Sequence, residues 1–176
     1  MTRILILSDT HVRRFADLPN VIVEMAKDSD VIFHAGDIAH QDVLDGLGAI
    51  TKVVAVKGNM DVSIGTSVLP AKREVLIENI RIGIVHGAGA AGHVVNRARS
   101  SFDDCSVIVF GHSHFPFLDE FGGVLMINPG SPTDKRFAPF PSYATMEIHR
   151  FEVKVKISSL AGEVYAQKRR NFEPLS

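Results

Sequence analysis

Residues 4–11 read Ile4-Leu5-Ile6-Leu7-Ser8-Asp9-Thr10-His11, an apolar run that turns polar at Ser8. A short apolar run with β-branched members and a polar stop has the length of a strand buried on both faces. The same unit returns twice. Val31-Ile32-Phe33 runs into His34-Ala35-Gly36-Asp37, and Val53-Val54-Ala55-Val56 runs into Lys57-Gly58-Asn59-Met60-Asp61. Helical patterns lie between these units. Pro19 opens one that continues to Lys27; Gln41 to Leu47 carries Val43, Leu44 and Leu47 at helical spacing, with Gly48 as its stop. The order β-α-β-α-β predicts a parallel sheet with right-handed crossovers.

Beyond residue 70 the pattern changes to hairpins. Glu74 to Ile77 and Arg81 to Val85 flank a tight turn, and Phe117 to Phe121 and Val124 to Ile127 flank Gly122-Gly123. A third hairpin joins Tyr143 to His149 with Phe151 to Ile157, whose Val153, Val155 and Ile157 alternate with Lys154 and Lys156. Val107 to Phe110 is another buried strand, and His93 to Arg99 a short helix. Phe137 to Pro141 reads as loop. The tail from Ala161, with Lys168-Arg169-Arg170, reads as a solvated end. No repeat or linker interrupts the chain, so residues 1–176 are expected to form a single domain.

The composition excludes several classes. With 176 residues, 45% of them hydrophobic and 22% charged, a core can form without staples. The lone cysteine, Cys105, rules out an internal disulfide framework and a Cys-based zinc site. A net charge of −1 gives no basic field for nucleic acid, and no apolar run is long enough to span a membrane. A cytoplasmic protein is expected, with neither nucleic acid nor membrane as partner.

Five buried strands end in segments that carry His, Asp or Asn: Asp9-Thr10-His11, Gly36-Asp37, Gly58-Asn59, His86-Gly87 and Gly111-His112-Ser113-His114. Ligands in open α/β sheets bind outside the carboxyl ends of strands. Asp9, His11, Asp37, Asn59, His86, His112 and His114 should therefore meet at one sheet edge. Oxygen and imidazole donors without thiolate suit Mn, Fe, Zn, Ni or Co. So many donors exceed one tetrahedral ion and suit two, with one carboxylate bridging. Each unit alone has a plainer reading. Asp-x-His is commonly a cap, Gly-Asp and Gly-Asn are turn chemistry, and His86 could be a satisfied core histidine. Their joint placement at strand ends favours metal. The neighbouring glycines are expected to let the backbone turn and to leave room for metal and substrate.

The order Asp-x-His, Gly-Asp, Gly-Asn-x-Asp, His-Gly, Gly-His-x-His resembles the calcineurin-like metallophosphoesterase family. The short chain, Gly58-Asn59-Met60-Asp61 and Ile127-Asn128-Pro129-Gly130-Ser131 resemble its small YfcE-like phosphodiesterase branch. The resemblance runs from Arg3 to about Ile157. It implies an α/β fold, a four-layer α-β-β-α sandwich of two mixed sheets. It also implies two divalent metal ions, with manganese favoured. By the family's pattern Asp9, His11, Asp37 and His114 hold one ion, and Asp37 as bridge, Asn59, His86 and His112 hold the other. The expected reaction is phosphodiester hydrolysis by a bridging hydroxide at that binuclear site. Asp37, Asn59 and His86 are the catalytic candidates.

Asn59, His40 and Arg136 are candidates for substrate binding, and Arg13 and Lys135 weaker ones. Asp61 is expected to orient a ligand histidine rather than act as an acid. Many family members carry His where this chain has Met60, which cannot transfer a proton. Good leaving groups, or protonation by water or another side chain, are therefore expected. Asn128 to Ser131 should form a tight turn under the site, with Ser8 and Ser113 satisfying backbone groups. His34 is either a pocket residue or a buried strand end. The alternatives are a phosphomonoesterase and a scaffold like the retromer subunit of this fold, whose metal site is degraded. A small phosphoester is the expected partner. A homo-oligomer, dimer or tetramer, is plausible from the resemblance, with Phe137, Phe140 and Val68 as suggestive hydrophobes.

Overall fold

A computed structural model describes residues 1–61, 69–134 and 138–173. Val68, Lys135, Arg136 and Phe137 lie outside the described residues. The elements run β1 (Thr2–Leu7), a 3-10 turn (Phe15–Asp17), α1 (Asn20–Lys27), β2 (Val31–His34), α2 (Gln41–Ile50), β3 (Lys52–Ala55), β4 (Lys72–Ile77) and β5 (Ile80–Val85). They continue with α3 (Ala91–Arg99), β6 (Val107–Val109), β7 (Phe117–Phe121), β8 (Val124–Asn128), β9 (Ser142–His149), β10 (Glu152–Ser159) and β11 (Val164–Asn171).

Two mixed sheets face each other. One has the order β11-β10-β9-β1-β2-β3, the other β4-β5-β6-β8-β7. Within the first, β1, β2 and β3 run parallel and β9, β10 and β11 continue antiparallel. Within the second, β5, β6 and β8 are parallel, flanked by antiparallel β4 and β7. Side chains alternate across a strand, so each apolar run serves two layers. Ile4 and Ile6 of β1 enter the core between the sheets, while Leu5 and Leu7 meet α1 and α2. In the second sheet Val107 and Val109 face inward and Ile108 packs against α3 with Val94 and Ala98. The α-β-β-α layering is the one the resemblance implied. Among the described residues no helix is long and apolar enough to cross a membrane.

Three element readings need correction. Helix α2 does not stop at Gly48 but runs to Ile50. A Cβ on Gly46 would lie 2.2 Å from Phe15 Cγ, so glycine there admits the ring that packs on the helix, and tertiary contact outweighs propensity. The third strand ends one residue early, at Ala55. The tail is not a solvated end: β11 pairs antiparallel with β10 along the sheet edge. Its charges are engaged. Lys168 pairs with Asp119 at 2.6 Å and Arg170 with Glu120 at 2.9 Å, both on β7 of the opposite sheet, and Arg169 pairs with Glu152. Phe140 packs edge-on against Tyr165 at 5.1 Å rather than standing alone.

Candidate metal centre

The carboxyl ends of β1 and β2 in one sheet and of β5 and β6 in the other bring Asp9, His11, Asp37, His86 and His114 together, so these donors meet between two sheets and not at the edge of one. Two groups of donors form, each with its ligating atoms within 4.8 Å of one another: Asp9 with His11 and His114, and Asp9 with Asp37 and His86. The Nε2 atoms of His11 and His114 are 3.3 Å apart, and His114 Nε2 is 3.3 Å from Asp9 Oδ1. Asp37 Oδ2 stands between the groups, 3.6 Å from His11 Nε2 and 3.5 Å from His86 Nε2.

Each donor atom is selected by what its partner atom already does. Asp9 Oδ2 accepts from the Ser8 hydroxyl at 2.6 Å and from the His112 N–H at 3.0 Å. Oδ1 is buried with no hydrogen-bond partner. Asp37 Oδ1 accepts from the Met60 N–H at 2.7 Å, which leaves Oδ2 for the site. His86 Nδ1 donates to the Ala35 carbonyl at 2.7 Å; neutral His86 therefore presents its lone pair at Nε2, which is buried and has no hydrogen-bond partner. His114 Nδ1 lies 3.1 Å from Asp134 Oδ2, which turns Nε2 toward Asp9.

The remaining candidates are placed differently. His112 Nε2 donates to the Gly89 carbonyl at 3.0 Å, so Nδ1 is its ligating nitrogen when neutral; the ring stands edge-on to His86, 5.2 Å away. Asn59 is exposed and lines a cavity shared with His86. His40 is exposed at the N-cap of α2. Arg13 is exposed, and Arg136 and Lys135 fall outside the described residues. His34 is a buried strand end: it accepts from the Gly36 N–H and bonds Thr10 Oγ1 at 3.2 Å. His93 and His149 are exposed.

Three expectations about support change. Among the described residues Asp61 bonds no histidine ring. It is buried and accepts the backbone N–H groups of Asp37 (2.9 Å), Ala39 (2.8 Å) and Gly58 (2.7 Å), tying the loop after β2 to the loop after β3. Ser8 satisfies a ligand carboxylate, not a backbone group. The glycine expectation changes in part: Gly36 and Gly87 take φ of 94° and 92°, as the expected backbone turn requires, but the room at Gly58 and Gly111 goes to neighbouring protein, where a Cβ would sit 2.2 Å from Asp37 Oδ1 and 1.8 Å from Ser8 Oγ. The turn after β8 is as expected and does more. Asn128 Nδ2 donates to Gly111 O and Ser113 Oγ, while Ser131 and Thr133 hydroxyls donate to Asp9 O and Thr10 O. Asp134 escaped sequence reasoning, because no local pattern pairs it with a histidine twenty residues earlier.

The backbone here is strained. Asp9, His11, Asp37, His112 and His114 all take positive φ, between 47° and 70°, and Ala39 takes 74°. Such conformations cost side-chain-bearing residues roughly 1–2 kcal/mol each and concentrate at functional sites. Ala39 has no ligating side chain and keeps its N–H bond to Asp61 as glycine, so Ala39→Gly is expected to stabilise the protein by about 1 kcal/mol, or roughly 2–4 °C in a thermal melt.

Charge and burial set the titration. Burial disfavours the Asp37 carboxylate, yet His86, the Met60 N–H and His11 outweigh it and hold its pKa at about 2. Burial opposes protonation of His86 and His114, but Asp37 and Asp9 raise the first, and Asp9 and Asp134 the second. Burial pushes His34 down to about 4 against the pull of Asp61 and Asp9. The signs are opposite. Stability from neutral His34 is complete above 6.5 and is lost as pH falls toward 4, whereas His86 and His114 contribute below 6.5 and lose that contribution as pH rises through their folded values. Urea unfolding of metal-free protein at pH 7 and pH 4.5 isolates the first: wild type is expected to lose roughly 2 kcal/mol more than His34→Gln over that interval.

Comparison with known proteins agrees with this geometry. The pattern of the Calcineurin-like phosphoesterase superfamily domain matches residues 2–150. The chain is 35% identical over 155 residues to the probable metallophosphoesterase MJ0623 of Methanocaldococcus jannaschii, covering 85% of this chain and 78% of that protein. It is 28% identical over 102 residues to phosphodiesterase YfcE of Escherichia coli, 54% of this chain and 53% of that one. The YfcE structure matches with a TM-score of 0.73 and 20% identity over 94% of this chain and 98% of its own. Vps29 of Cryptosporidium parvum matches with a TM-score of 0.81 and 24% identity over 97% and 98%. These two structures speak to the fold alone. The family uses divalent metals, and the buried Asp9 Oδ1 and His86 Nε2, without hydrogen-bond partners, fit a cation. The motif order, the layered fold and the matched pattern agree, and the chain belongs to the calcineurin-like phosphoesterase superfamily.

Proposed function

We propose that this chain is a metal-dependent phosphodiesterase working on a small phosphoester with two divalent ions, manganese favoured. The observation that carries the reading is the pair of buried atoms without a hydrogen-bond partner, Asp9 Oδ1 and His86 Nε2, set beside an Asp37 oxygen that faces histidines on both sides. Asp9, His11, Asp37 and His114 would hold one ion; Asp37, Asn59, His86 and His112 the other. Ions so held supply a charge clamp for phosphate oxygens and make water nucleophilic near neutral pH.

The protein's part is to fix and aim. The Ala35 carbonyl, the Gly89 carbonyl and the Asp134 carboxylate each hold one nitrogen of His86, His112 and His114, so the other nitrogen is directed before substrate arrives. Asn59, His40 and Arg136 meet the substrate. Met60 is exposed, and its backbone N–H is committed to Asp37; its side chain has no proton to give a leaving group. Esters with good leaving groups are thus preferred. Residues 1–176 act as one domain, in the cytoplasm, as a dimer or tetramer.

Chelation followed by addition of Mn²⁺, Ni²⁺ or Zn²⁺ tests the reading. Turnover of bis-p-nitrophenyl phosphate is expected to vanish on chelation and return with metal, to exceed that of p-nitrophenyl phosphate, and to accompany about two ions per chain. Faster turnover of the monoester identifies a phosphomonoesterase. The fold shared with Vps29 carries a second reading, a non-catalytic scaffold. It predicts no turnover with any metal even at full occupancy.

A further inference from the structure

A cavity of about 290 Å³ adjoins the donor cluster, with His86 and Asn59 in one wall and Lys57, Arg97 and Ser101 in others. Lys57 and Arg97 are exposed, and among the described residues neither side chain has an ion pair or hydrogen bond. Arg97 is nonetheless placed. Its guanidinium lies along Gly89, where an added Cβ would come 2.8 Å from Nη1, and the Gly89 carbonyl holds His112.

The backbone points to the same chemistry. Gly87 and Ala88 line the cavity and lead into α3, whose N-cap Ala90 offers no side-chain hydrogen bond and whose first turn has no acidic residue. Among the described residues, the N–H groups of Gly87, Ala88 and Gly89 donate to no protein acceptor. Free N–H groups in the loop that leads into a helix, beside an arginine fork and a lysine, favour a phosphate. The volume is at the small end for ligand pockets, which suits one anionic group and not a polymer.

We propose that this cavity is a subsite for a second phosphate on the substrate, bound by Lys57, Arg97 and the Gly87-Ala88 backbone. The preferred substrate is then a small phosphodiester carrying an additional phosphate away from the reacting one. The inference rests on the phosphodiesterase reading for its substrate, but the subsite itself needs no metal.

Two measurements separate the claims. Inorganic pyrophosphate is titrated calorimetrically into chelator-treated wild type and into the double variant Lys57→Gln/Arg97→Gln; both side chains are exposed, and thermal melts verify folding. Binding is expected to weaken about tenfold or more in the variant. No binding to wild type, or equal binding to both, overturns the subsite. Mn²⁺-loaded enzyme is then given a p-nitrophenyl nucleoside diester with and without a second phosphate on the sugar. The second phosphate is expected to raise kcat/KM about tenfold in wild type, with the ratio falling toward one in the variant. A wild-type ratio near one overturns the subsite while leaving the phosphodiesterase standing. Failure to cleave either diester overturns the phosphodiesterase, and the pyrophosphate titration still decides the subsite.

Discussion

Asp37→Ala is expected to lower kcat/KM for a diester by at least about a thousandfold, on the order of 4 kcal/mol of transition-state stabilisation. Asp37 Oδ2 is the oxygen set between His11 and His86, so its removal strips both proposed ion positions of an anionic ligand. Bound metal should fall from about two ions per chain toward one or fewer. The fold should survive, because this side chain points into the site and, among the described residues, its one backbone partner is the Met60 N–H. Asp37→Asn is the companion variant. It keeps an oxygen for that N–H and tolerates the φ of 55° better than alanine, yet removes the charge. Kinetics, metal content and a thermal melt on both variants check the assignment. Wild-type rates in either one defeat Asp37 as the shared ligand.

Asp61→Ala should act mainly through stability. Three backbone N–H groups lose their acceptor at once, and two of them, on Asp37 and Gly58, are buried. A buried donor left unsatisfied costs roughly 1–3 kcal/mol, so a loss of about 3–5 kcal/mol and a fall of roughly 10 °C or more in Tm are expected. Activity should fall with it, because the loops that carry Asp37 and Asn59 lose their tie. Asp61→Asn, with one acceptor oxygen, should lie between. Urea and thermal unfolding give the answer, and a loss below about 1 kcal/mol in Asp61→Ala would remove Asp61 from the support of the site.

Much of this molecule can be read from residue order. The runs at Ile4, Val31 and Val107 announce strands buried on both sides because they are apolar at every position, and the structure divides each between two layers. Donor residues at strand ends are visible for the same reason: the apolar run stops where the chain leaves the sheet. Other features have no local mark. Helix α2 passes Gly48 with Val43 and Leu47 buried on its core face and Phe15 against Gly46, contacts outside the window in which glycine reads as a stop. The basic tail looks solvated until β7, far away in sequence, supplies Asp119 and Glu120.

Element order, the identity of the donor side chains and their placement at strand ends follow from local chemistry, since strand length, polarity and turn residues act over a few positions; that strand ends of two different sheets face one centre is decided by how the sheets pack. Which atom of each donor faces the centre is a tertiary matter. Asp9 Oδ1 is left open by Ser8 and His112, His86 Nε2 by Ala35, and His114 Nε2 by Asp134. A carboxylate or an imidazole has two alternative binding atoms, and only a neighbour brought close by folding can occupy one and so select the other.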